Sequence, residues 1–197
     1  MPTPGSDPRL AALARSLADP APPAPRPTPR AAAVAMVLSP RPDDLYVLLI
    51  ERTRRPGRRW SGDVALPGGL AEPGDLDLVA TARRELREEV GLRVGAPLGR
   101  LRPLHTVAPR GLTRMSLTAF VFAHRGDAVV AAPGEVAAAF WVPVGALHGR
   151  RTWAPRRLGA LPVPLPFPER RLGGRRVWGL TLSMLESLSA VIQRKSL

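Results

Sequence analysis

The 197-residue chain contains no cysteine, which rules out disulfides and every thiolate metal site. Any metal it binds must therefore be held by oxygen or imidazole. Lysine occurs once, at Lys195, so the formal charge of +13 is carried almost wholly by arginine. A chain this basic attracts phosphates and other anions. Aromatic residues are only 5% of the chain, and no aromatic-rich RNA-binding motif is present. The longest unbroken apolar run, Ala31 to Leu38, falls far short of the ~20 residues of a membrane helix, so no membrane partner is expected. Asp7 and Arg9 stand where a secretory signal would be apolar, and no signal peptide is read there. The expected location is cytoplasmic. Arg9, Arg15, Arg26 and Arg30 outnumber the nearby acids and leave a mitochondrial presequence open.

Proline, by contrast, is abundant and clustered, from Pro20 to Pro29 and from Pro162 to Pro168. Both stretches read as extended, loop-like connections. The hydrophobic share of 45% fits one globular domain with a substantial core. Residues 1–30 read as a short helix and a Pro-rich arm, and residues 31–197 as the main domain. The helix spans Asp7 to Asp19, with Asp7 as cap, Pro8 in the first turn, and Leu10, Leu13 and Leu17 at helical spacing.

The main domain opens with two expected strands, Ala32 to Leu38 and Leu45 to Arg52, joined by a Pro-Arg-Pro-Asp-Asp turn. A basic loop then leads to Leu66-Pro67-Gly68-Gly69 and to a helix from about Asp77 to Val90, stopped by Gly91. Val79, Ala82, Leu86 and Val90 supply its apolar stripe. Further strands are expected over Val94 to Leu104, Met115 to Ala123 and, after a short turn, up to Val142. Leu180 to Gln193 reads as a C-terminal helix. Short strands with a few helices between them predict a mixed α+β or α/β sandwich.

Within the central helix, Glu85, Glu88 and Glu89 fall within an arc of about 100°, beside the apolar stripe. Such a face can be a solvated one, balanced by Arg84 and Arg87. Three crowded carboxylates can also hold a cation, and hard oxygen ligands favour Mg²⁺ or Mn²⁺. The Pro-Gly-Gly turn upstream of Arg84 favours the second reading, because a glycine backbone can closely approach a metal or a phosphate.

These residues resemble the Nudix box, G-x5-E-x7-R-E-U-x-E-E-x-G-U, where U is a bulky aliphatic residue. Gly69 is followed after five residues by Asp75, and after eight more by Arg84-Glu85-Leu86-Arg87-Glu88-Glu89-Val90-Gly91-Leu92. Asp75 stands for the first glutamate and the spacer is one residue longer, while the second half matches at every specified position. Thr81-Ala82 before the arginine is similar to the coenzyme A pyrophosphatase-like branch. So is the upstream run Leu48-Leu49-Ile50-Glu51-Arg52-Thr53, Arg58, Gly62 and Leu66-Pro67-Gly68-Gly69, and so is the closing Arg176-Val177-Trp178-Gly179-Leu180-Thr181.

The resemblance implies a Nudix-type α/β/α sandwich with a mixed sheet. It also implies Mg²⁺- or Mn²⁺-dependent hydrolysis of the pyrophosphate bond of a small-molecule nucleoside diphosphate derivative, with coenzyme A or its acyl derivatives as the first expectation. Glu85 and Glu89 are the implied metal ligands, Glu88 a third ligand or a base acting through water, and the Gly69 carbonyl a further ligand. Arg84 is expected to order the site by pairing with a loop carboxylate such as Asp75. Arg52 and Arg58, with Gly68 and Gly69, are the expected substrate contacts. Glu135, as a general base from a later loop, and Trp60, against a base, are weaker candidates. Trp178 reads as core, and His105, His124 and His148 as structural or exposed. Two alternatives stand: another nucleoside diphosphate, dinucleotide or triphosphate substrate, or a basic RNA-binding or regulatory module on the same fold. The intact helix carboxylates weigh against a nucleic-acid partner. The family resemblance leaves homodimerisation open.

Overall fold

The computed structural model describes residues 7–17, 31–55, 61–107, 114–126, 131–132, 134–156 and 163–193. The Pro20–Pro29 stretch, Arg58 and Trp60 lie outside the described residues.

Strand β1 (Ala31–Pro40) is buried along nearly its whole length and organises the fold. It runs parallel to β7 (Arg114–Ala123) along one edge. Its other edge is divided between two antiparallel partners. β2 (Leu45–Arg52) takes the end at Leu38–Pro40, and β4 (Gly68–Leu70) takes the beginning at Ala32–Val34. β3 (Val64–Ala65) and β8 (Val136–Pro143) pair with β2, while β5 (Gly99–Arg100) and β6 (Leu104–Val107) pair with β7. The result is an eight-stranded mixed sheet.

A strand buried on both faces reads as a continuous apolar run, and β1 has that pattern because each face is covered. Ala31, Ala33, Ala35 and Val37 join the core under helix α2 (Leu78–Val90). Val34, Met36 and Leu38 join the opposite core with α1 (Pro8–Leu17) and α3 (Gly179–Gln193). Small side chains on the first face suit a closely seated helix, and bulkier ones fill the second. The expected α/β/α sandwich is thus observed. Leu10, Leu13 and Leu17 of α1 are buried in the second core. Among the described residues, no helix is long and apolar enough to cross a membrane.

Two expectations are corrected. Val94 to Leu104 is not one strand: only Gly99–Arg100 and the segment from Leu104 onward pair, because Gly95, Pro97, Gly99 and Pro103 interrupt the run. Nor is the Pro162–Pro168 stretch merely loop-like. From Leu165 it forms β10 (Leu165–Leu172), central in a second sheet between β9 (Thr152–Arg156) and β11 (Arg175–Trp178). β9 pairs with Leu165–Glu169 and β11 with Glu169–Leu172, so each half of β10 has one main neighbour. Pro166 and Pro168 fall in the half that β11 does not reach, where a missing N–H costs no ladder bond.

Candidate active site

Helix α2 is fixed at both ends by local chemistry. Asp77 caps its start, Oδ1 accepting from the Ala80 N–H at 2.7 Å. Gly91 ends it in the left-handed region at φ 67°, its N–H donating to the Arg87 carbonyl. The buried stripe runs through Leu78, Thr81, Ala82, Leu86 and Val90, with Val79 only half-buried. Glu89 belongs to that buried set, with 4% of its surface exposed, rather than standing beside it as expected. The reason is the divided edge of β1: β4 lies under this part of α2, and its Gly68 N–H donates to Glu89 Oε2 at 2.9 Å.

The β1–β4 ladder shows how the glycines present themselves. Ala35 N–H donates to the Pro67 carbonyl and Ala71 N–H to the Ala31 carbonyl, which places Gly69 in the hydrogen-bonded position opposite Ala33. By the same alternation Gly68 turns its N–H and carbonyl away from β1. A side chain at Gly68 has no room, since a Cβ would lie 2.4 Å from the Ala33 carbonyl oxygen at a φ of +154°. A Cβ at Gly69 would lie 2.3 Å from Glu85 Oε1. Gly68 is therefore required by close approach to backbone, whereas a side chain at Gly69 would displace the Glu85 carboxylate.

Arg84 gathers the rim. Its Nε and Nη2 donate to the two oxygens of Asp75, each at 3.1 Å, and Nη2 also donates to the Leu70 carbonyl at 3.0 Å. Nη1 donates to Glu85 Oε1 at 2.9 Å and Glu88 Oε2 at 3.2 Å, with Glu72 at 3.6 Å. The planar fork makes this bidentate contact possible, as an ammonium would not. Asp75 also accepts from Thr81 Oγ1 and from the Glu72 N–H, each at 2.9 Å. The Arg84 guanidinium, aided by these two donors, holds the Asp75 carboxyl down at about 2 despite partial burial. Thr81 and Glu72 were not singled out as site residues from sequence; the Thr-Ala pair before Arg84 was the only signal for the first.

Burial acts in the opposite direction on the helix carboxylates. It pushes Glu89 up to about 7, against the Gly68 N–H bond and the Arg52 charge, while Glu85 and Glu135 add to the rise. Burial also raises Glu85, against the pull of Arg84. Glu88 is exposed. Arg52 and Glu135 come to this site through the backbone: Arg52 pairs with Val136, Thr53 N–H donates to the Glu135 carbonyl at 2.9 Å, and Ala132 N–H donates to the Glu89 carbonyl at 2.8 Å, with the Glu135 side chain exposed. The structure thus brings together Glu85, Glu88, Glu89, Arg84, Asp75, Gly68, Gly69, Arg52 and Glu135.

The donor set fits Mg²⁺ or Mn²⁺. It is made of carboxylate and backbone oxygens, and burial raises both Glu85 and Glu89 above the usual carboxylate range. Among the described residues, no three acidic or histidine side chains form a ready cage. Mg²⁺ seldom uses one, being held instead by one or two carboxylates with water and substrate phosphates.

The family model of the NUDIX domain matches residues 28–162. The uncharacterized Nudix hydrolase NudL of Yersinia pestis is 41% identical over 81 residues, 40% of this chain and 40% of that one. A protein of Schizosaccharomyces pombe is 53% identical over 47 residues, 24% of this chain and 14% of that one. The matches thus span less than half the length of these curated relatives. The crystal structure of a NUDIX hydrolase from Alicyclobacillus acidocaldarius shares the fold, with a TM-score of 0.55 at 22% identity over 83% of this chain and 92% of that one.

Proposed function

Because this chain belongs to the NUDIX domain family, we propose that it is a Mg²⁺- or Mn²⁺-dependent pyrophosphohydrolase acting on a nucleoside diphosphate derivative. The observation that carries this reading is the meeting of Glu85 and Glu89 with the Gly68-Gly69 backbone: the Gly68 N–H donates to the buried Glu89, and Glu85 lies against Gly69.

In this reading Glu85 and Glu89 hold the metal, with Glu88 as a third ligand or a base reached through water. The Gly69 carbonyl, expected as a further ligand, lies in the ladder opposite Ala33, and the Gly68 carbonyl is the one turned away from β1. A bound divalent ion would supply Lewis-acid chemistry, neutralising charge that develops on the diphosphate oxygens. Arg84 positions rather than reacts: its fork joins the Asp75 loop to Glu85 and keeps both in one geometry. Arg52, whose strand neighbours the segment bonded to Glu89, offers a guanidinium to a substrate phosphate. Hydrolysis gives two phosphate monoesters.

Coenzyme A or its acyl derivatives are the proposed substrates, on the strength of Thr81-Ala82, the run from Leu48 to Gly69 and the closing Arg-Val-Trp-Gly-Leu-Thr. The test is product analysis after incubation with CoA, acyl-CoA, ADP-ribose, NADH and diadenosine polyphosphates, with and without metal. Metal-dependent cleavage of CoA to phosphopantetheine and adenosine 3′,5′-bisphosphate supports the full proposal. Cleavage of another member alone keeps the metal site and discards coenzyme A. Cleavage of none, with salt-sensitive RNA binding that survives Glu89→Gln, replaces it with a binding module.

A further inference from the structure

The second sheet stands apart from the metal-binding carboxylates, yet two of its residues grip the end of β2. Arg175 Nε donates to Glu51 Oε2 at 2.7 Å, and the Trp178 indole Nε1–H donates to Asp63 Oδ1 at 2.9 Å. Glu51 immediately precedes Arg52, and Asp63 lies opposite Arg52 on the returning chain. The Arg52 N–H donates to the Asp63 carbonyl at 3.0 Å, and the Arg52 carbonyl accepts from the Gly62 N–H at 3.1 Å. One residue facing two is a bulge, and Gly62 occupies it in the left-handed region at φ 75°. On its other edge β2 is also irregular here: Glu51 pairs with Ala138 but Arg52 with Val136. Arg52 therefore sits where both edges of its strand lose regular register. A bulge of this kind re-aims a side chain, and its direction depends on what holds the bulge.

We infer that Trp178, acting through Asp63, is a positioning residue that aims Arg52 at the phosphates of the substrate; this rests on the pyrophosphohydrolase reading above. Trp178 is held for the task on several sides. The Arg156 guanidinium lies 4.6 Å over its ring, and Phe167 meets it edge-on at 6.0 Å. Arg156 is fixed in turn by Glu169, a carboxylate only 8% exposed, at 2.8 Å. An indole N–H can only donate, so its direction selects an acceptor, and the acceptor here belongs to the residue across from Arg52. The path is short: Trp178 Nε1 to the Asp63 carboxylate, the Asp63 carbonyl to the Arg52 N–H, and Arg52 paired with Val136, four residues after the Ala132 whose N–H donates to the Glu89 carbonyl at 2.8 Å.

The test is steady-state kinetics of Trp178→Phe, Asp63→Ala and Asp63→Asn in the full chain, with Mn²⁺ affinity measured alongside. Phe keeps the ring packing but lacks the donor, whereas Asn keeps an acceptor oxygen. Trp178→Phe and Asp63→Ala are expected to raise KM by about threefold to tenfold, the scale of one ordinary hydrogen bond, because the effect reaches Arg52 indirectly. Their kcat and Mn²⁺ affinity should stay unchanged, and Asp63→Asn should remain close to wild type. Unchanged KM in both loss variants overturns the inference. So does a fall in kcat that parallels lost thermal stability, because that marks structural support alone. If Trp178→Phe does not fold, the Asp63 pair decides by itself. Wild-type protein that turns over no substrate removes the pyrophosphohydrolase reading, and this inference with it.

Discussion

Around α2 Arg84 meets Glu72, Asp75, Glu85 and Glu88, while Glu89 lies buried beside them and, among the described residues, has no ion pair. In the second sheet and α3 the balance differs: Arg156 pairs with Glu169, Arg175 with Glu51, and Glu186 is shared by Arg151 and Arg170. Charge that is matched locally anchors one element to another and asks for nothing further. A surplus of carboxylates over guanidinium groups is costly unless something positive joins it. The first arrangement suits a site awaiting a cation, and the second suits a scaffold.

The sharpest way to break this contrast is to remove one buried acid. Glu89→Gln should lower turnover by at least about a hundredfold, the scale of a group acting directly in the chemistry. Its effect on stability should have the opposite sign. The Glu89 carboxyl is raised in the folded protein from its ordinary 4.5 to about 7, so the folded state holds the proton more tightly. The resulting stabilisation is full below about 4.5 and is lost as pH rises through about 7. Metal-free wild type should therefore lose thermal stability over that window relative to Glu89→Gln, as pH-dependent melting curves would show. A difference that grows toward lower pH instead would reverse the assignment.

A smaller effect is expected from Gly69→Ala. Its Cβ would meet Glu85 at 2.3 Å and push that carboxylate aside, weakening metal affinity by about tenfold to a hundredfold, measurable by Mn²⁺ titration. Arg84→Lys keeps the charge but loses the fork to Asp75; turnover should fall by about tenfold, with Mn²⁺ affinity less affected than in Gly69→Ala. Asp75, held down at about 2, contributes stability at neutral pH that disappears as pH falls from the ordinary 3.8 through about 2. Arg84→Lys should flatten that acid limb. The scaffold side gives the smallest functional response. Arg156→Met should cost about 1–3 kcal/mol by leaving Glu169 without its charged partner, and should leave Mn²⁺ binding unchanged. A change in Mn²⁺ affinity there would erase the distinction between the two regions.

What could be read in advance was what is local. Asp77, Gly91 and the spacing of Leu86 and Val90 define α2 within a few residues, and the apolar run of Ala32 to Leu38 announces a strand, though not that both its faces are covered. The Arg84–Asp75 pairing was an expectation of the family resemblance, and the structure shows it. What depended on distant pairing was hidden. Glu89 becomes buried only because β4 shares an edge of β1 with β2, a division that no helical periodicity records. The second sheet was hidden because proline normally marks a loop, and Pro166 and Pro168 are tolerated only by the staggered pairing of β9 and β11. The role of Trp178 was equally out of reach, since its partner Asp63 lies 115 residues away.

The most direct test of the cation-seeking site is Mn²⁺ binding followed by electron paramagnetic resonance, comparing wild type with Glu89→Gln at one pH and without substrate. Saturable loss of the free Mn²⁺ signal in wild type, largely abolished in Glu89→Gln, is the predicted result. Equal binding by the two proteins, or none by either, would contradict the assignment of the α2 carboxylates as the metal site.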